Sequence, residues 1–152
     1  MVWDAGLVLA ASNDAQIRLT EDHARCVFSE TAILFIRVLD EIAFGALGAE
    51  LSEEFMDSFI ESIGRALEGR GMQPESFDEL LSQRIAEYSG YAKWIPAKGE
   101  SSRGTLFWEF GKKVADIRGI GESAVFNLYL TNMLMGSLVE WRLAELLRGV
   151  VS

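Results

Sequence analysis

No residue from Ser123 to Val139 carries a charge. This run lies inside a longer stretch, Gly121 to Gly149, whose body reads AVFNLYLTNMLMGSLV and then EWRLAELLRG. No proline interrupts it, and most of its residues are good or neutral helix formers. Glu122 suits a helix N-terminus, Arg142 and Arg148 suit the opposite end, and Gly149 supplies a left-handed stop. The pattern predicts one helix of about 25 residues, near-apolar on every face through its first two thirds. A helix that is hydrophobic all round is either the buried centre of a protein or a membrane span.

Length and polarity separate those two outcomes. A span needs about 20 predominantly apolar residues. This run is slightly shorter and includes Asn127, Thr131, Asn132 and Ser137. Amides near the middle of a bilayer are costly without partners, and the flanks show no polybasic side. The expectation is a buried central helix and no membrane span. Asn127 and Thr131 lie one turn apart and share a face. They are either a small buried polar pair satisfied by its neighbours or a ligand-orienting pair in a helix-lined pocket. Gly136 is the place where a second helix would approach closely.

The remaining helices follow from caps and periodicity. Thr20 caps a helix that runs to about Leu47, with Gly45 and Gly48 as stop signals. Val27, Thr31, Leu34, Phe35, Val38, Leu39 and Ile42 form its core stripe. Asp22, Ser29, Glu30, Arg37, Asp40 and Glu41 form its polar side. Ile33, Ile36 and Phe44 fall within or beside that polar side, as lone exposed apolar groups or as contacts with a second subunit. Ser52 is read as the cap of the next helix, whose apolar stripe is Phe55, Met56, Phe59, Ile60, Ile63 and Leu67. Ser76-x-x-Glu79 has capping-box spacing and starts a third helix, with Phe77, Leu80, Leu81, Ile85 and Tyr88 inward. Residues 93–104, KWIPAKGESSRG, are linker-like and long for a connection, so they form a candidate functional loop. In TLFWEFGKKVADI, residues 105–117, Phe107, Phe110, Val114 and Ile117 favour a helix, although the aromatic half would also suit a strand.

Together these elements predict an all-α, single-domain bundle over residues 1–152. About five helices pack around a long apolar C-terminal helix, with residues 1–19 as an N-terminal arm or short helix. Trp3 on that arm is a candidate contact with another subunit.

Charge restricts the partners. The chain has a net charge of −9, and all of it resides in the half that ends at Ser76, which has 14 acidic and 5 basic residues. An acidic surface repels phosphates, so nucleic acid is not an expected partner, whereas a basic or amphipathic protein segment is. The one cysteine, Cys26, allows no intrachain disulfide and suits a reducing compartment. The N-terminus lacks a positively charged region and carries Asp4, so it is not read as a signal peptide, and the expected location is cytoplasmic.

Little in the sequence points to catalysis. His23 and Cys26 lie one turn apart near a helix N-terminus, where a thiolate would be stabilised, but no third orienting group is identifiable. A ferritin-like di-metal site needs two Glu-x-x-His motifs, and His23 is the only histidine. There is no P-loop or Rossmann glycine pattern. No metal and no cofactor is expected. The richest patch is Tyr88 to Arg118, where six basic residues between Lys93 and Arg118 outnumber three acidic ones amid Tyr91, Trp94 and Trp108. It reads either as packed aromatics with solvated lysines or as a site for an anionic or apolar ligand.

The leading expectation is a non-enzymatic helical interaction module, homo-oligomeric and adaptor- or chaperone-like, with Ile33, Phe44 and Trp3 at its interface. The alternative is a small-molecule-binding protein. Its pocket would lie between the C-terminal helix and residues 88–118, lined by Trp108, Asn127, Thr131, Lys112 and Arg103.

Overall fold

The computed structural model describes the backbone of residues 20–119, 121 and 123–151, and every helix or strand among them is an α-helix. In chain order these are α1 (Glu21–Leu47), α2 (Ala49–Glu68), α3 (Pro74–Tyr88), α4 (Leu106–Ile117), α5 (Ala124–Trp141) and α6 (Leu143–Val151). The expected arm, and Trp3 with it, lies outside the described residues. The described chain divides into two compact units. One holds residues 20–31 and Ser89–Gly136, and the other holds Ala32–Tyr88 and residues 137–151.

Helix α1 starts where Thr20 places it. The Thr20 hydroxyl accepts the His23 backbone N–H at 3.2 Å, and Glu21 and Asp22 occupy the first turn. Its polar side does not survive as expected. Every residue from Ser29 to Ile36 is buried, more than two full turns, so this part of α1 faces protein all round. Ile33 and Ile36 are therefore core residues and not exposed groups on a polar face. The helix tolerates this because its own carbonyls satisfy its hydroxyls. Ser29 Oγ donates to Arg25 O at 2.9 Å, and Thr31 Oγ1 donates to Val27 O at 2.7 Å.

Helix α2 begins at Ala49, three residues before the expected cap, because Gly48 at φ 81° turns the chain out of α1. Ser52 lies inside the first turn, buried, with its hydroxyl on Ala49 O. The amphipathic stripe is present. Met56 and Leu67 are buried, and Phe55, Phe59, Ile60 and Ile63 are half-buried. Phe59 stacks on Phe55 one turn away and meets Phe35 of α1 edge-on at 5.6 Å. Two bonds close the helix, Met72 N–H to Leu67 O and Gly71 N–H to Glu68 O, with Gly71 at φ 89°. This is the Schellman arrangement. Helix α3 starts at Pro74, two residues before Ser76, since proline at the first helical position gives up no needed donor. Phe77 and Tyr88 are its buried residues.

The aromatic segment after residue 105 is helical throughout as α4, which buries Leu106, Phe107, Trp108, Phe110, Gly111, Val114 and Ala115. The C-terminal stretch departs from its expectation in two ways. First, it is not one continuous helix. Arg142 takes φ 45°, a left-handed conformation, and separates the 18-residue α5 from the 9-residue α6. Such a conformation costs a non-glycine residue about 1–2 kcal/mol, and nothing in the local composition announces it. Second, α5 is not covered on every face. Leu130 and Leu134 are buried, whereas Tyr129, Asn132 and Gly136 are exposed.

Leu134→Ala is expected to lower stability by about 2–5 kcal/mol, through lost burial and a residual cavity. Glu61→Ala, at an exposed residue paired with Arg65, should change it by no more than about 0.5 kcal/mol. Denaturant titration of both variants checks the pair of values.

Candidate functional site

Four of the expected ligand-site residues, Trp108, Lys112, Asn127 and Thr131, lie on α4 and α5 within one unit. Ser123 starts α5. Its hydroxyl accepts the Phe126 N–H at 3.3 Å, and its carbonyl accepts the Asn127 N–H at 3.0 Å. That start places Asn127 against α4 at Gly111. A Cβ built on Gly111 would stand 3.0 Å from Asn127 Oδ1, 3.2 Å from its Cγ and 3.4 Å from its Cα. The two helices meet closely here only because Gly111 has no side chain. Gly136, the expected close-approach glycine, is exposed, and a Cβ there meets nothing within 4 Å.

Asn127 and Thr131 are both buried, one turn apart on α5. Among the described residues, neither Asn127 Oδ1 nor Thr131 Oγ1 has a hydrogen-bond partner. The contrast with Thr31, whose hydroxyl bonds back to its own helix, shows that a buried threonine in this chain does not by default go unpaired. Trp108 is buried on α4 three residues before Gly111, hence on the same face of that helix. Lys112, the residue after Gly111, is half-buried, and its Nζ lies 3.0 Å from Glu109 Oε2. Arg103 is exposed on the loop before α4.

That loop turns out to be a strap on α4. Its Lys93 and Trp94 carbonyls accept the Leu106 and Phe107 backbone N–H groups at 2.9 and 3.1 Å, satisfying first-turn donors that a helix leaves open. Between them the chain turns tightly. Glu100 N–H reaches Ala97 O at 3.0 Å with Gly99 at φ 85°. The Glu100 carboxylate accepts Lys93 Nζ at 2.6 Å and the Ala97 N–H at 3.2 Å. The hydrogen bond from Lys93, then the Ala97 N–H and the lysine's charge, hold the Glu100 carboxyl below its ordinary pKa. Two of the six basic residues in this region, Lys93 and Lys112, are thus tied to carboxylates on their own segment.

Arg118 has a different environment from the one its position in a basic patch suggested. It is buried, with its guanidinium carbon 5.7 Å from the Phe126 ring centroid. Burial lowers its pKa, yet an arginine remains protonated. Tyr88 is fully buried, and Tyr91 and Trp94 are half-buried.

The other expected site residues are scattered. Phe44 is 61 % exposed at the end of α1, and Ile33 is fully buried earlier in that helix. Cys26 is exposed, and the His23 Nδ1 beside it is buried without a hydrogen bond. Among the described residues, no three His, Cys, Asp or Glu side chains come together in a way that would hold a metal ion. Among them, too, no helix is long and apolar enough to cross a membrane. Gly111 and the exposed Leu51 escaped the sequence reading. A lone glycine among large aromatics was the available signal for Gly111, since it marks a place where a neighbour sits on the backbone.

No protein-family model matches the sequence, no curated protein matches it, and no solved structure matches its fold.

Two glycine-to-alanine changes should move stability in opposite directions. Gly111→Ala drives a methyl into Asn127 and is expected to cost about 1–3 kcal/mol. Gly64→Ala, inside α2, places its methyl 3.8 Å from the Phe77 ring, an ordinary contact. It should stabilise by about 0.5–1 kcal/mol through helix propensity. Thermal and denaturant unfolding of the two variants measures both signs.

Proposed function

We propose that the chain is a non-enzymatic helical interaction module that associates with itself, in the manner of an adaptor or chaperone. The observation that carries this reading is the open face of α5. Tyr129, Asn132 and Gly136 follow at helical spacing on one side, and Tyr129 is 55 % exposed. Single exposed apolar side chains are ordinary. An exposed face within an uncharged run of almost five turns is not, in a chain of net charge −9. Copies of a strongly acidic chain repel one another, and interface centres are depleted of charge. The uncharged face is therefore the surface on which two copies would meet, and Gly136 leaves room there for a backbone to approach. Of the expected interface residues, Phe44 remains accessible, and Ile33 does not.

Light scattering at high micromolar concentration is expected to give at least twice the mass of one chain. Tyr129→Glu should return it toward one, because a charge at the centre of such a face is desolvated on association. A wild-type protein that stays at the mass of one chain under those conditions would falsify the self-association.

One observation favours a second reading, a small-molecule-binding protein with Trp108, Asn127 and Thr131 at its site. Buried polar atoms are nearly always hydrogen-bonded, and Asn127 Oδ1 and Thr131 Oγ1 are not. A ligand there would offer a donor to Asn127 Oδ1, which fits a neutral or cationic group better than the anion that the nearby basic residues suggested. Native mass spectrometry of protein from its source cells separates the readings. A co-purifying small molecule that Asn127→Leu abolishes supports the ligand site. A co-purifying polypeptide supports the interaction module.

A further inference from the structure

Away from α5, the corner where α1 passes into α2 combines exposed apolar side chains with an uninterrupted run of acidic charge. Phe44 near the end of α1 and Leu51 near the start of α2 are 61 % and 44 % exposed. Flanking them in the sequence are Asp40, Glu41, Glu50, Glu53, Glu54 and Asp57, all exposed, with no lysine or arginine anywhere between Arg37 and Arg65. Asp40 and Glu41 lie one turn before Phe44 on its own face of α1, and Glu54 lies one turn after Leu51 on α2. Glu41 is paired with Arg37 at 2.9 Å.

We propose that this corner is a docking surface for a basic amphipathic helical segment of another protein. Phe44 and Leu51 would receive the apolar stripe of that segment, and the surrounding carboxylates would meet its lysines and arginines. The proposal rests on the reading of the chain as an interaction module and adds to it the surface and the chemistry of the partner. Charge decides the occupant. A second copy would bring the same carboxylates to face these and be repelled, as would the phosphates of nucleic acid and the anionic headgroups of a membrane. A helix with apolar residues at i, i+3, i+4 and i+7 and lysines elsewhere satisfies both halves of the surface at once. Opposite charge would speed encounter, and the apolar pair would hold the complex once formed.

The test uses the full chain and a fluorescent peptide of about five helical turns. The peptide is built from leucine and lysine with leucine at the spacing above. A second peptide has the same composition, reordered so that no stripe forms. Fluorescence anisotropy should show the amphipathic peptide bound about tenfold or more tightly than the reordered one. Phe44→Ser with Leu51→Ser should weaken it by a similar factor. Glu50→Gln with Glu53→Gln and Glu54→Gln should weaken it and flatten its dependence on salt. Circular dichroism on each variant establishes that the helices persist, as expected for changes at exposed positions. Leu146→Ser, at an exposed apolar residue of α6, is the control that should leave binding unchanged. If the serine pair at the corner leaves affinity within about twofold, or both peptides bind alike, the corner is not the site. Loss of binding in Tyr129→Glu or Leu146→Ser would also overturn this assignment, while leaving the chain an interaction module. If neither peptide binds and the chain is monomeric by light scattering, both readings fall.

Discussion

A helix covered on every side has to solve its own polar problem, and α1 does so between Ser29 and Ile36. An unpaired hydroxyl buried away from water costs a kcal/mol or more, so a helix with no wet face carries few polar groups or bonds them internally. Ser29 and Thr31 bond backward to carbonyls of the preceding turn. That solution releases both residues from any need for solvent, and the buried run extends through Ala32, Ile33, Leu34 and Phe35 without a break. Both compact units include part of this helix.

The second constraint lies at Gly111. Helix axes approach most closely where one of them lacks a side chain, and the amide of Asn127 occupies the space so released. The result is a polar side chain pressed onto a backbone it does not hydrogen-bond through Oδ1. A glycine kept inside a helix at a cost of about 1 kcal/mol against alanine, and an amide oxygen kept unpaired, each look unfavourable alone. Together they describe one close contact with an amide oxygen at its centre.

The sequence spoke clearly wherever a local rule governed. Thr20 caps α1, glycines end α1 and α2, the stripe of α2 faces inward, and the aromatic segment after residue 105 is helical. It misjudged elements whose outcome depends on what lies opposite. Ser29, Glu30 and Ile33 looked like parts of a polar face because periodicity records which residues share a side, not whether that side is covered. The uncharged run 123–139 looked like the buried centre for the converse reason: apolar composition permits complete burial without enforcing it. The break at Arg142 had no glycine or asparagine to announce it. Gly111 and Gly136 are both helix-interior glycines, and only the neighbour across the interface tells them apart.

The strap of residues 93–105 also bears on how the chain tolerates change. Its two ends are fixed, since Lys93 and Trp94 supply carbonyls to α4 and Thr105 and Leu106 begin that helix. Its tip, Lys98 and Gly99, is exposed and lies in the turn that Glu100 closes. Extra residues inserted at the tip would lengthen a loop whose ends stay pinned, at a cost that grows only with the logarithm of its length. The same residues inserted at position 94 or 105 would shift the carbonyls out of register with the helix they serve. The tip is thus a natural point for an epitope tag or a reporter domain, and the strap's two ends are where such a graft would unravel α4 from its first turn.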